Sequence, residues 1–566
     1  MKKTFISLIA AVLGVSLCAA ELNELHKEVA AAIKAGKKSV VLTRKEYRIS
    51  KPLGFHKIDG FTLDGNGAAI IVTNSRHAIT IHTVKNLVIK NLAIDYDPLP
   101  FTQGVITKVD EKAMVLDVDV DEGYPPVNKG ALAWNNYIFT PDGSAWKKDQ
   151  TDFYAEPTIL GARKLQLTGL KGRVTVTDIQ VGDKIVICRK APDGGGSVVE
   201  IRNSGKLTFE NMKIYSSYGC VFRAYHCDGD DVYRNVKIGR GPTPAGAKAP
   251  RLFSSNHDGI HYGYCTKGVT IENCDFGWMG DDSFNHHGTT SFIAEVTGKH
   301  TFNMLTGSTR KKSDQFDRLK PGTKIRILHP DTFDILGEYT FESYRYVETK
   351  YPKAVRDKVH FSVRNRPESS QAAFEIKVKE ELKFTGEARF DIPGNSCYGF
   401  VVRNSYFHDH RARGLRIMAS NGLVENCRFE RIKGNAISIG GQYSFWGEAG
   451  WVSDVTIRNC TFKENGFGYA QKQASDTTFL PGVIAINSQL YNYKNVPRGN
   501  RRITIENNVI AGAPFAGIFV MAAKDINITG NKITNVMKSG FTPGSKIGLS
   551  DMKPVWVQQA ENVNIR

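Results

Sequence analysis

Past residue 20 the sequence has no apolar run approaching the ~20 residues that a membrane helix needs, which predicts a chain without stable membrane insertion. Acidic residues are also in deficit, 57 Asp and Glu against 75 Lys and Arg, leaving a formal charge of +18. The basic residues are scattered, not gathered into one arm or helix. No nucleic-acid-binding motif accompanies them, so the charge predicts a soluble basic surface, or weak attraction to acidic glycans, and no DNA or RNA partner. No His, Cys or Asp spacing is diagnostic of zinc or calcium. No metal and no cofactor is therefore expected.

What the sequence does have begins at its N-terminus. Lys2 and Lys3 precede an apolar run from Phe5 to Leu17, with Ala19 and Ala20 before Glu21. This reads as a signal peptide cleaved after Ala20; Leu17 is too bulky for Cys18 to be a lipid-attachment site. The expectation is export, to the periplasm or beyond. Loss of residues 1–20 leaves 546 residues and a charge of +16. That length implies several domains or an elongated repeat.

The repeat is legible. Asn-x-x-Phe/Ile, after a short β-branched run, recurs at Asn91, Asn211, Asn235, Asn273, Asn404, Asn426, Asn459 and Asn507, and Gly67 and Gly530 fit with Gly in place of Asn. Several intervals are 22 to 24 residues, such as 211 to 235. Preceding segments such as Val269-Thr270-Ile271-Glu272 alternate apolar and polar residues, the period of a strand and not of a helix. The expected fold class is all-β, a right-handed parallel β-helix of three short strands per rung. The Asn takes left-handed backbone or joins an Asn ladder. Cys274, Cys427 and Cys460 each follow a repeat Asn, on the face of the inward Phe. They read as stacked core residues, although eight cysteines in an exported chain could otherwise be disulfide-bonded.

Leu22, Leu25, Val29 and Ile33 lie on one helical face that Gly36 can end, suited to an N-terminal capping helix. The repeat breaks twice, and both breaks are strand-rich: Gly182-Asp183-Lys184-Ile185-Val186-Ile187 resembles Gly322-Thr323-Lys324-Ile325-Arg326-Ile327. The expected domains are the signal peptide (1–20), the β-helix start with its cap (21–95), a first inserted β-barrel (96–197), the catalytic rungs (198–288), a second inserted β-barrel (289–391) and the β-helix end (392–566). The second insert follows the acidic rung directly, so it is expected to overhang it.

Between Asn256 and Gly288 two acidic clusters match with a shift of 24 residues, so that His257 falls on Asp281, Asp258 on Asp282, Ile260 on Phe284 and His261 on Asn285. One rung of this length would stack Asp258 beside Asp282, about 4.8 Å apart, with Asp281 at the edge. Aligned rungs also turn His261, Asn285 and Arg416 outward as a polar row. Asp258 and Asp282 are expected in the turn entering the strand, exposed at the lip of a groove, because burying charge is costly. Asp-Gly and Asp-Asp are ordinary turn sequences, and His with Asp can bind metal. In-register recurrence with His257, His261, His286 and His287 around it favours a catalytic site. Trp278 could stack on a sugar or simply pack, and His408-Asp409-His410 reads as a loop or substrate rim. Crowded carboxylates in an exposed groove are the equipment of glycoside hydrolysis, one held protonated as an acid by its neighbours, here Asp281/Asp282.

Signal peptide, β-helix, two inserted barrels and the Asn-x-Asp-Gly-Ile and Gly-Asp-Asp clusters together resemble glycoside hydrolase family 110 over nearly the whole mature chain. The order Asp258, Asp281-Asp282, His-Gly is also similar to the family 28 polygalacturonases. The family 110 resemblance implies an exo-acting, inverting, metal-independent α-1,3-galactosidase acting on galactose-terminated glycans such as blood group B antigen. It implies Asp281 as acid and Asp258 with Asp282 as the water-activating pair. His257, His261, Asn285, His286, His287, Arg223, Arg413, Arg416 and Trp278 are the expected sugar contacts. A pectin hydrolase and a non-enzymatic glycan-binding stalk are the alternatives. Tolerance of a fucosylated branch and the oligomeric state, a homodimer included, stay open.

Overall fold

The computed structural model describes residues 23–566 except 129, 131, 148–152, 173–177, 307–315, 360–371, 444–445, 469–480, 491–495 and 540–551. The signal peptide and Leu22 lie outside the described residues. The chain is a right-handed parallel β-helix. Its described strands form one sheet of twenty strands and a second of twelve, the twelfth being the short antiparallel Glu448–Ala449. Each complete rung gives one strand to the second sheet and two to the first. In one such rung these are Phe222–Tyr225, then Asp231–Arg234 and Lys237–Ile238.

The repeat Asn bends the chain between the two strands of the first sheet. All eight repeat Asn residues have positive φ, between 52° and 55°, and Gly67 and Gly530 share the left-handed region. This conformation disfavours a branched or bulky side chain, while the Asn carboxamide can hydrogen-bond locally. Asn211 Nδ2 donates to Asn91 Oδ1 at 3.1 Å, and Asn235 Nδ2 to Asn211 Oδ1 at 2.9 Å. Three residues on, the side chain points inward, and Phe407, Phe429 and Phe462 stack with ring centroids 5.2 and 4.8 Å apart. Burying each such side chain contributes about 1.5–3 kcal/mol. Cys274, Cys427 and Cys460 are buried thiols in the neighbouring column.

The helix Glu24–Lys34 closes the N-terminal end. Its N-cap Asn23 accepts a hydrogen bond from the His26 amide, Leu25, Val29 and Ala32 are buried, and Gly36 with φ +68° ends it. Two closed six-stranded barrels interrupt the solenoid. One is built from strands between Phe101–Asp110 and Lys184–Arg189, the other from strands between Ser291–Gly298 and Ala388–Asp391. Among the described residues, the barrel that meets the acidic turns is the first. Cys188 donates to Asn256 Oδ1 at 3.3 Å, Tyr137 stacks on Phe253 at 4.9 Å, and a Cβ on Gly280 would come within 2.5 Å of the Tyr137 hydroxyl. Chain order had pointed to the second barrel. Where an insert leaves the chain does not fix which side it folds against.

Beyond the groove face, His408 is pinned between two carboxylates, Asp409 Oδ2 at 2.7 Å and Asp275 Oδ1 at 3.0 Å. Burial opposes its charge, but these two hydrogen bonds outweigh burial and raise its pKa above the ordinary value. Folding therefore tightens proton binding. The stability His408 contributes is complete below the unfolded-chain value of about 6.5 and is lost as pH rises through the folded value. His408→Gln is accordingly expected to destabilise more at pH 5.5 than at pH 8.5, read by urea unfolding. Equal losses at both would remove His408⁺ as the cause.

Candidate active site

The second sheet sets the row that the sequence anticipated. Ile260, Phe284 and Leu415 pair in register and point inward, and Arg223, His261, Asn285 and Arg416 pair in register on the outer face. Alternation places His287 on this outer face. His286 falls on the inner one, where it stacks on Phe284 at 4.2 Å and is wholly buried. His286 is thus a core residue and not a sugar contact, and burial drives its pKa down to about 3. Period-2 counting from Phe284 would have shown this.

Asp258, Asp281 and Asp282 do enter from the turns before these strands, and each offers an oxygen within 4.8 Å of the others. Two of them are not exposed as expected. Asp258 is 7% and Asp282 1% accessible, because charged partners from neighbouring rungs enclose them. Asp282 is held side-on by Arg413, with Nε to Oδ1 and Nη2 to Oδ2 both at 2.9 Å and the Arg413 amide to Oδ1 at 2.8 Å. Such a bidentate pair fixes orientation as well as charge. Asp258 accepts the Asp282 amide on Oδ1 at 3.2 Å, and its Oδ2 meets His261 Nδ1 at 2.6 Å. Burial, then the anionic Asp282 and Glu448, raise the Asp258 pKa well above the carboxylate range. Asp281 keeps a side chain 31% accessible and lies 3.1 Å from Arg411 Nη2. Burial pushes its pKa up, Arg411 opposes, and Asp258 and Asp282 add to the rise, to about 7. The three carboxyl groups therefore differ: one clamped, one bonded to an imidazole, one facing the cleft and poised to carry a proton near neutrality.

The remaining expected contacts divide. His257 is exposed, with Asp281 and Arg411 acting on its charge. Asn285 is 5% accessible, and its Oδ1 is buried without a hydrogen-bond partner among the described residues. Arg413 is committed to Asp282 and positions it. Arg223 donates from Nε to Glu200 Oε2 at 2.7 Å, one rung back in the same row. Arg416, 1% accessible, donates to Gln442 Oε1 at 2.8 Å and lies 3.4 Å from Glu448 Oε2. Trp278 packs against the first barrel's aromatic cluster, and the Arg240 guanidinium lies 3.3 Å from its ring centroid. A ring face already covered by a cation is not a free sugar platform.

The sequence reading missed Glu448, Glu200, Tyr225 and Arg411. Glu448 lies beyond the second barrel on the two-residue strand Glu448–Ala449, which pairs antiparallel with Gly288 and Thr289. Burial would raise its pKa, but His287, Arg416, His261 and Arg413 hold it at about 2. Nothing in the repeat announces it. Glu200 and Tyr225, by contrast, follow from extending the row's register back along the rungs.

Ligand atoms of Cys220, Asp258 and His261, of His261, His287 and Glu448, and of the three aspartates also come within 4.8 Å. Arg411 and Arg413 already supply positive charge to the aspartates, and both His261 nitrogens are hydrogen-bonded.

A family model described as "Right handed beta helix region" matches residues 372–495. Among known proteins, the chain is 25% identical over 502 residues to alpha-1,3-galactosidase B of Bacteroides thetaiotaomicron, covering 84% of this chain and 74% of that one. It is 23% identical to alpha-1,3-galactosidase B of Akkermansia muciniphila, over 83% of this chain but only 56% of that relative's length. It is also 23% identical to alpha-1,3-galactosidase A of Shewanella woodyi, over 90% and 79%. Among solved structures, the Azotobacter vinelandii mannuronan C-5 epimerase A-module aligns over 96% of this chain and 94% of its own, with TM-score 0.40 and 11% identity. The catalytic domain of a GH87 alpha-1,3-glucanase aligns over 90% and 63%, with TM-score 0.36 and 11% identity.

Proposed function

We propose that this protein is an exo-acting, inverting glycoside hydrolase that removes terminal α-1,3-linked galactose from glycans such as blood group B antigen. The observation that carries the reading is the division of labour among three adjacent carboxyl groups. Asp281, accessible and with a pKa near 7, protonates the glycosidic oxygen as the bond to C1 breaks. Asp282, oriented by Arg413, and Asp258, joined to His261, orient a water on the opposite face of the sugar and take its proton. Asn285 lies beside the carboxyl groups in the same outer row as His261. Beside it Arg416 and Glu448 lie 3.4 Å apart, and the exo mode draws on the family 110 resemblance. The galactose specificity draws on the relatives' names.

Two observations bear on stereochemistry and pull apart. Oxygens within 4.8 Å are closer than the 6.5–9.5 Å that carboxyl groups keep in most inverting enzymes. Against this, every oxygen of Asp258 and Asp282 is already hydrogen-bonded, which ties both carboxyl groups in place while lone pairs remain to accept from a water. That arrangement suits a base better than a covalent nucleophile, and inversion is the reading adopted. Incubation with blood group B oligosaccharide followed by NMR is expected to show β-galactose as the first-formed sugar, with little release from α-1,6-linked melibiose and none from polygalacturonate. An α-anomer would assign a covalent route. Depolymerised polygalacturonate without galactose release would overturn the substrate.

A further inference from the structure

Asp258 poses a difficulty for any base role. A carboxyl group crowded by Asp281, Asp282 and Glu448 and only 7% accessible favours its protonated form, and a protonated acid cannot accept another proton. The proton needs somewhere to go, and the side chains behind Asp258 form a continuous path. Asp258 Oδ2 lies 2.6 Å from His261 Nδ1, and His261 Nε2 lies 3.1 Å from His287 Nε2. His287 Nδ1 lies 2.5 Å from the Gly288 carbonyl oxygen, and His287 Nε2 is 3.9 Å from Glu448 Oε1.

The hydrogen bonds constrain where protons sit. A carbonyl oxygen only accepts, so His287 Nδ1 carries a hydrogen. If His287 is neutral, its Nε2 accepts from His261 Nε2–H. The 2.6 Å contact between Asp258 Oδ2 and His261 Nδ1 then holds the third proton, which sits on Asp258 in the starting arrangement and on His261 after the first hop. If His287 is instead an imidazolium, its Nε2–H donates to His261 Nε2, and His261 Nδ1–H donates to an Asp258 carboxylate. Both arrangements hold three protons and use the same three hydrogen bonds. They differ by two short hops, Asp258 to His261 Nδ1 and His261 Nε2–H to His287 Nε2.

Resting on the hydrolase reading above, we propose that His261 and His287 form a proton relay that carries the Asp258 proton to His287 beside Glu448, leaving Asp258 as the carboxylate that accepts the proton of the attacking water. When the water O–H breaks, its proton reloads Asp258, and the relay returns the surplus proton to solvent through the cleft. No oxidant or co-reactant is involved. Asp258 faces Cys220, Asp281, Asp282, Arg413 and Glu448 besides His261. His287 faces Glu448, Arg416, His261 and the ring of Tyr264 at 5.8 Å. Tyr225, whose hydroxyl is 3.1 Å from His261 Nε2, can donate in one arrangement and accept in the other. Burial and the nearby cations lower the His287 pKa to about 4 despite Glu448, so its charged form is a transient one that passes the proton on. His261 and His287 are positioning residues that act through Asp258.

Two measurements on the full chain test the relay. For His287→Gln, kcat relative to the native enzyme is expected to fall by about 10²-fold at pH 6 and by less at pH 9, since rising pH favours direct ionisation of Asp258, with KM unchanged. A loss equal at both pH values is a structural loss and overturns the proposal. Independently of activity, ¹⁵N NMR of labelled histidines is expected to show His287 Nε2 shifting on Asp258→Asn, although the two residues do not touch. An unchanged His287 signal overturns the relay, whether or not the variant His287→Gln folds. A shifted signal in a protein that releases no sugar from any galactoside supports the relay and sinks the hydrolase reading instead.

Discussion

Asp281→Asn is expected to lower turnover on a natural galactoside by about 10²-fold or more and leave the fold intact. Its side chain is the accessible member of the acidic trio, and its loss takes a partner from Arg411, which keeps its hydrogen bond to the Gly280 carbonyl. On a nitrophenyl galactoside, whose leaving group departs without a proton, the same variant should lose far less. Asp258→Asn and Asp282→Asn should lose equally on both substrates, because they act on the water. The native enzyme should also lose activity as pH rises through about 7, where Asp281 gives up its proton. Equal loss for Asp281→Asn on both substrates would remove it as the acid, and near-normal turnover in any folded variant would remove that residue from the catalytic set.

Arg413→Met is expected to be the most destabilising single change in the site. Asp282 is 1% accessible, and the guanidinium makes two of its three hydrogen bonds from Arg413. Taking away one partner of a buried ion pair costs about 3–5 kcal/mol, since the other charge stays behind without compensation. Urea unfolding measures this, and activity should fall with it because Asp282 loses its orientation. Arg413→Lys should recover part of the stability but little of the turnover, as an ammonium cannot make the side-on pair. A loss below about 1 kcal/mol, the size of an exposed pair, would show that Asp282 does not depend on Arg413.

The pattern of inward and outward residues was legible because a strand alternates strictly and a solenoid repeats its register. Eight Asn residues in one left-handed column, the inward Phe stack and the outer row Arg223, His261, Asn285 and Arg416 all follow from those two periodicities. The same rule, carried two residues further, separates His286 in the core from His287 in the site.

The sequence by itself thus determined the solenoid, its capping helix, its barrel-like interruptions and the gathering of Asp258, Asp281 and Asp282, since each depends on neighbours one rung away. Only the tertiary structure decided how those carboxyl groups differ. Arg413 and Arg411 reach them from the rung beyond a barrel of about a hundred residues, Tyr137 backs them from the first barrel, and Glu448 enters on a two-residue strand with no place in the repeat. Alternation predicts which face a side chain takes. It does not predict which charges are brought to that face, and in a buried cluster those charges set where each proton resides.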